Sequence, residues 1–135
     1  MTSRFIALTL ASLFALPLHA GDAAKGEADF KRCKACHSIV GADGTAIVKG
    51  GKTGPNLFGL AGKPVASSAD FKYGEAILAA KAAGAVWDEA ALATYVADPS
   101  AWLQQVTGDA AAKSKMTFKL TKGGEDMAAY LVSLK

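Results

Sequence analysis

The sequence predicts an all-α domain, about five short helices joined by long loops. Three observations carry this prediction. Helix caps and stops recur along the chain, at Asp22, Gly84, Asp88 and the pair Asp98-Pro99. No alternating apolar and polar run of useful strand length is present. Seven of the 14 glycines fall between Gly41 and Gly62, with Pro55 among them, and such a segment resists regular structure.

The elements follow in chain order. Residues 1–20 read as a cleaved secretory leader: Arg4 is a short positive region, Phe5 to Leu18 an apolar run, and Ala20 a small residue at the cut. The rival reading, a retained anchor helix, needs roughly 20 apolar residues, more than this run supplies. Residues 21–135 would then form one domain, exported to the periplasm, monomeric and without stable membrane insertion. Asp22 caps a first helix running through Lys25, Phe30 and Cys33. Gly41–Gly62 is expected to be irregular loop. Good helix formers from Tyr73 to Ala83 make a second helix, with Gly84 as its stop. Asp88 caps a third, which carries Leu92, Tyr95 and Val96. Asp98-Pro99 ends that helix and opens a fourth with Trp102, Leu103 and Val106. Residues 108–120 lack an apolar period and hold three lysines. Thr121 is placed as the cap of the last helix, where Met127, Tyr130, Leu131 and Leu134 form one stripe.

Composition leaves a question. The chain is 51% hydrophobic, but 29 of its 135 residues are alanine, so large apolar side chains are sparse. Loops of this length are uncommon in a compact domain unless they serve a function. Something must give them a surface to pack on. Fifteen basic and 12 acidic residues give a net charge of +3, too balanced for a dedicated nucleic-acid binder.

Cys33-Lys34-Ala35-Cys36-His37 answers the question. Both cysteines of the chain lie in this C-x-x-C-H motif, and His37 is the only histidine besides His19 in the leader. Two thiols at this spacing add to the two vinyl groups of one haem, and the next residue offers an imidazole to the iron. Three rivals are weaker. A structural zinc site wants four ligands, and three are on offer. A thioredoxin-like C-x-x-C needs a strand before it. A Cys33–Cys36 disulfide closes too small a loop to stabilise much. With histidine exhausted, a methionine is the natural sixth ligand. Met127 sits on an apolar stripe and reads as core filler. Met116, in the lysine-bearing loop, is the candidate. With both axial positions filled by His37 and Met116, a peroxidase or gas sensor lacks an open site, and no second histidine remains for acid-base work. The expected role is one-electron transfer, not enzyme catalysis.

Beyond the motif, Lys52-Thr53-Gly54-Pro55-Asn56-Leu57-Phe58-Gly59-Leu60, Lys115-Met116-Thr117-Phe118 and Glu125-Asp126-Met127-Ala128-Ala129-Tyr130-Leu131 resemble the corresponding segments of class I c-type cytochromes. The opening Gly21–Glu27 and the long loops are similar to the cytochrome c2 group of photosynthetic and related bacteria. The resemblance implies one covalent haem c wrapped by the cytochrome c fold. It implies that the Pro55 carbonyl accepts a hydrogen bond from His37, that the Tyr95 hydroxyl approaches the methionine sulfur, and that Tyr73 and Trp87 bond a haem propionate. It implies that Gly26 and Phe30 pack against the last helix near Tyr130. The implied donor is a cytochrome bc complex, and the acceptor a photosynthetic reaction centre or a terminal oxidase. Lys63 stands where many family members carry arginine, a point charge in place of a fork. Lys34, Lys52, Lys113, Lys115 and Lys119 flank the two segments that meet at the haem edge and are the candidate docking ring.

Overall fold

The computed structural model describes residues 20–135, so the leader reading over 1–20 falls almost wholly outside the described residues. Among the described residues five α-helices carry the fold: α1 (Ala23–Asp29), α2 (Glu75–Ala82), α3 (Glu89–Ala97), α4 (Pro99–Thr107) and α5 (Gly124–Ser133). None of the described helices is long and apolar enough to cross a membrane.

The N-terminal caps explain where most helices start. Asp22 accepts hydrogen bonds from the N–H groups of Ala24 and Lys25, as expected. The first helix does not continue as α-helix through Cys33, however. It tightens into a 3₁₀ turn over Phe30–Arg32, which buries Phe30 and delivers Cys33 at its end. Asp88 and Asp98 cap α3 and α4 through the N–H groups of Ala91 (2.7 Å) and Ala101 (3.1 Å). Pro99 sits at the start of α4, where its missing N–H costs nothing. Thr121 does not cap α5. The cap position falls to Gly123, whose φ of 81° is left-handed, a turn that threonine could not make without strain.

One stretch of the glycine-rich segment is more ordered than expected. Strands β1 (Ile39–Val40) and β2 (Ala46–Val48) pair antiparallel, with Ile39 opposite Val48 and Val40 opposite Ala46. Two and three residues are too few to show an alternating pattern in sequence. The turn between them is held by Asp43, whose carboxylate accepts from both the N–H and the hydroxyl of Thr45. Asn56 then pairs with both backbone groups of Val40, tying the hairpin to the Pro55 loop.

Helix α5 is the centre of the packing. It lies against α1 on one side and α3 on the other, so Met127 through Leu131 are all buried rather than a single stripe. The approach to α1 is close: a Cβ on Gly26 would overlap the backbone of Asp126 and the Tyr130 side chain. The Phe30 and Tyr130 rings meet edge to face beside it, centroids 5.8 Å apart. The Asp22 N–H donates to the Asp126 carboxylate at 2.7 Å and fastens the two helix starts together. On the far side, Trp87, Tyr95 and Trp102 form an aromatic cluster with centroids 5.0–5.5 Å apart.

A candidate haem site

Between these layers lies a cavity of about 1060 Å³. Cys33, Cys36, His37, Pro55, Tyr73, Trp87, Tyr95 and Met116 all line it, the full set of site residues proposed from sequence. They come from four separate stretches of chain: the turn after α1, the proline loop, the segment around α2 and α3, and the loop after α4.

His37 is held from behind. Its Nδ1–H donates to the Pro55 carbonyl at 2.8 Å, the contact implied by the resemblance. This fixes the tautomer and leaves Nε2 as the ligating lone pair. Burial pushes the imidazole pKa down, and the Pro55 hydrogen bond only partly opposes it, so the ring is neutral and ready to ligate. Gly54 packs flush on the ring, since a Cβ there would overlap the imidazole atoms. Cys33 and Cys36 are not joined to each other in a disulfide; Cys33 is half-buried and Cys36 exposed. The turn is tight: the N–H groups of Cys36 and His37 both bond the Cys33 carbonyl.

Met116 enters from the loop after α4. Its N–H donates to Ser114 Oγ at 3.0 Å. Ser114 Oγ also meets the Tyr95 hydroxyl at 3.2 Å. The Tyr95 hydroxyl therefore bonds Ser114, a serine two residues before Met116 that sequence reasoning missed. Burial raises the Tyr95 pKa, so it stays a phenol. Tyr73 Oη accepts from the Ser68 N–H at 3.2 Å. Trp87 is buried and stacked on Trp102.

Charge around the cavity is one-sided. Arg32, Lys63, Lys72, Lys113 and Lys115 line it, and no aspartate or glutamate does. Arg32 lies over the Phe118 ring, 5.6 Å from its centroid, bridging the cysteine turn and the Met116 loop. Arg32 and Lys72 were not singled out in the sequence, because their position at the rim depends on how the loops close. All five candidate docking lysines, Lys34, Lys52, Lys113, Lys115 and Lys119, are exposed. Lys119 differs: its ammonium is held by the Asp98 carboxylate at 2.6 Å.

The donor chemistry and the space fit a haem. Two cysteine sulfurs and a neutral imidazole stand on one turn, a thioether on the loop after α4, and apolar side chains and cations line the space between. The volume is at the upper end of ligand pockets, suited to a large flat group. The rivals fare worse. No group of three or more His, Cys, Asp and Glu side chains that could hold a metal ion is present among the described residues. The segment before Cys33 is helical, where a thioredoxin-like motif requires a strand.

A mainly helical domain with a C-x-x-C-H turn facing one such cavity is the arrangement of the monohaem c-type cytochromes. No protein-family profile matches the chain. Its similarity to individual proteins is extensive. It is 53% identical to cytochrome c2 of Rhodobacter capsulatus over 133 residues, covering 96% of this chain and 97% of that one. It is 58% identical to cytochrome c-550 of Paracoccus versutus over 128 residues, covering 91% and 83%. The solved structure of Rhodobacter capsulatus cytochrome c2 superposes with a TM-score of 0.82 at 56% identity, over 84% of this chain and 97% of that one. The chain belongs to the cytochrome c2/c-550 family of class I c-type cytochromes. It carries one covalent haem c and is an electron carrier, not an enzyme, working between a cytochrome bc1 complex and a reaction centre or oxidase.

Proposed function

We propose that Cys33 and Cys36 hold the haem through thioether bonds, that His37 and Met116 are its axial ligands, and that the carrier works in the periplasm after loss of residues 1–20. The carrying observation is the convergence of all eight sequence-selected residues on one cavity. When bound, the haem supplies a one-electron iron couple. The protein's own residues do the rest. Pro55 orients the His37 ring and keeps it basic. Apolar walls exclude water and disfavour the more highly charged iron state. Tyr73, Trp87 and Lys63, which all line the cavity, take the propionates. Replacing Met116 with alanine should abolish the methionine-to-ferric-iron charge-transfer band and lower the potential. A variant that keeps the band would refute the ligand assignment.

Docking rests on the one-sided charge. Lys113 and Lys115, joined on the cavity lining by Arg32 and Lys72, steer the cavity mouth toward acidic patches on the bc complex and on the acceptor, while Lys34 and Lys52 are exposed but do not line it. Lys119 contributes less, because Asp98 offsets its charge. Association with an acidic partner should slow steeply as salt rises. A rate flat across ionic strength would remove the docking role.

A further inference from the structure

The loop carrying Met116 has no regular structure of its own, yet it must hold a sulfur in a fixed place. Its anchors lie on α4. Ser114 N–H donates to Ser100 Oγ at 3.0 Å, and Gln104 Nε2 donates to the Ala112 carbonyl at 3.1 Å. Ser100 and Gln104 are one helical turn apart and so share a face of α4. Ala112 and Ser114 are two residues apart on the loop, and each meets this face through a backbone group. The other side of Met116 is tied to the same corner. Leu120 N–H donates to the Val96 carbonyl at 2.7 Å, and Lys119 is held by Asp98, the N-cap of α4. Residues 112–120 are thus pinned before and after the methionine by one structure, the α3–α4 corner.

We propose that this corner sets how firmly Met116 is presented to the iron, with Ser100 as the principal positioning residue and Asp98 as the second. Ser100 does not line the cavity. It acts through Ser114, whose hydroxyl takes the Met116 N–H and meets the Tyr95 hydroxyl. Loss of the Ser100 hydroxyl leaves the Ser114 N–H without its acceptor and frees the loop to swing. An external ligand then competes more easily for the iron.

This inference rests on Met116 being the axial ligand. Imidazole binding to the oxidised haem-loaded protein tests it, with the methionine charge-transfer band as readout. Ser100→Ala should raise imidazole affinity about fivefold, the worth of one ordinary hydrogen bond. Ser100→Thr, which keeps the hydroxyl, should restore the parent value. Asp98→Asn keeps the helix cap and removes the charge that holds Lys119. It should shift affinity the same way by a smaller factor, and it gives an independent arm if the alanine variant fails to load haem. Affinity within twofold of the parent in both Ser100→Ala and Asp98→Asn overturns the proposal, as does a rise that Ser100→Thr leaves in place. A parent protein with no charge-transfer band would instead overturn the ligand assignment itself.

Discussion

Ala66 is the one non-glycine residue with positive φ among the described residues, at 52°, and it is buried on the cavity wall. The left-handed region costs a residue with a Cβ about 1–2 kcal/mol. Lys81 supports the strained peptide by donating its ammonium to the Ala66 carbonyl at 3.1 Å. Ala66→Gly should therefore be near neutral in thermal melts, where the same change at Ala80, inside α2, should cost about 1 kcal/mol or more. Equal losses at both sites would show that the strain is not felt. Gly54 is the opposite case. Its missing Cβ lets the Pro55 loop lie flush on the His37 ring. Gly54→Ala must push loop and ring apart, at about 1–3 kcal/mol for the overpacking. The check is a lower yield of haem-loaded protein with a lower melting midpoint. At this scale the sequence was legible wherever a residue type has few chemical uses. Cys33, Cys36, His37 and Met116, the residues proposed to hold the haem, fall in that group, and all four line the cavity. Ser100 and Ser114 do not, because a serine in sequence carries no sign of its partner.

Elements meet here through backbone contact more than through bulk. Gly26 lets α1 lie on α5, and a Cβ there would strike the Asp126 carbonyl, which cannot give way as a side chain could. Gly26→Ala should cost at least about 3 kcal/mol, the upper end for overpacking. A melting midpoint unchanged from the parent would mean that the two helices can separate freely. At the start of α4, Asp98 has its pKa lowered, first by the hydrogen bond from Lys119 and then by the Ala101 N–H. A carboxyl with a depressed folded pKa adds stability above its unfolded value of about 3.9 and loses it as pH falls through the lower folded value. Asp98→Asn should flatten this part of the curve: its melting midpoint should fall less than that of the parent below about pH 4. Helix starts were readable because aspartate caps act on N–H groups two or three residues away. The β1–β2 hairpin was not, since strands this short are made by a partner rather than by a pattern. Nor was the cap of α5, where the chain needed a left-handed turn and Gly123, not Thr121, could supply it.

The molecule as a whole is organised around a space. The buried side chains form one cluster, and much of its inner surface is the cavity wall rather than contact between helices. The proline loop and the Met116 loop, which looked too long for so thin a core, are those walls. A Cys33→Ala/Cys36→Ala protein, unable to attach haem, should lose its cooperative thermal transition and its near-ultraviolet circular dichroism while keeping some helix. A sharp melt in that variant would show that the helices hold one another without the cofactor.

The sequence by itself determined most of the helix starts and the haem chemistry, and it singled out Cys33, Cys36, His37 and Met116 as candidates that all line one cavity. These depend on local spacing and on the scarcity of residues able to do the work. The tertiary structure decided what depends on loop closure. It put five cations and no carboxylate around one cavity, paired the exposed Lys119 with Asp98, and placed Ser100 behind the methionine loop. Contacts between residues far apart in the chain leave no local pattern, because each partner is chosen only when the chain has closed around the cavity.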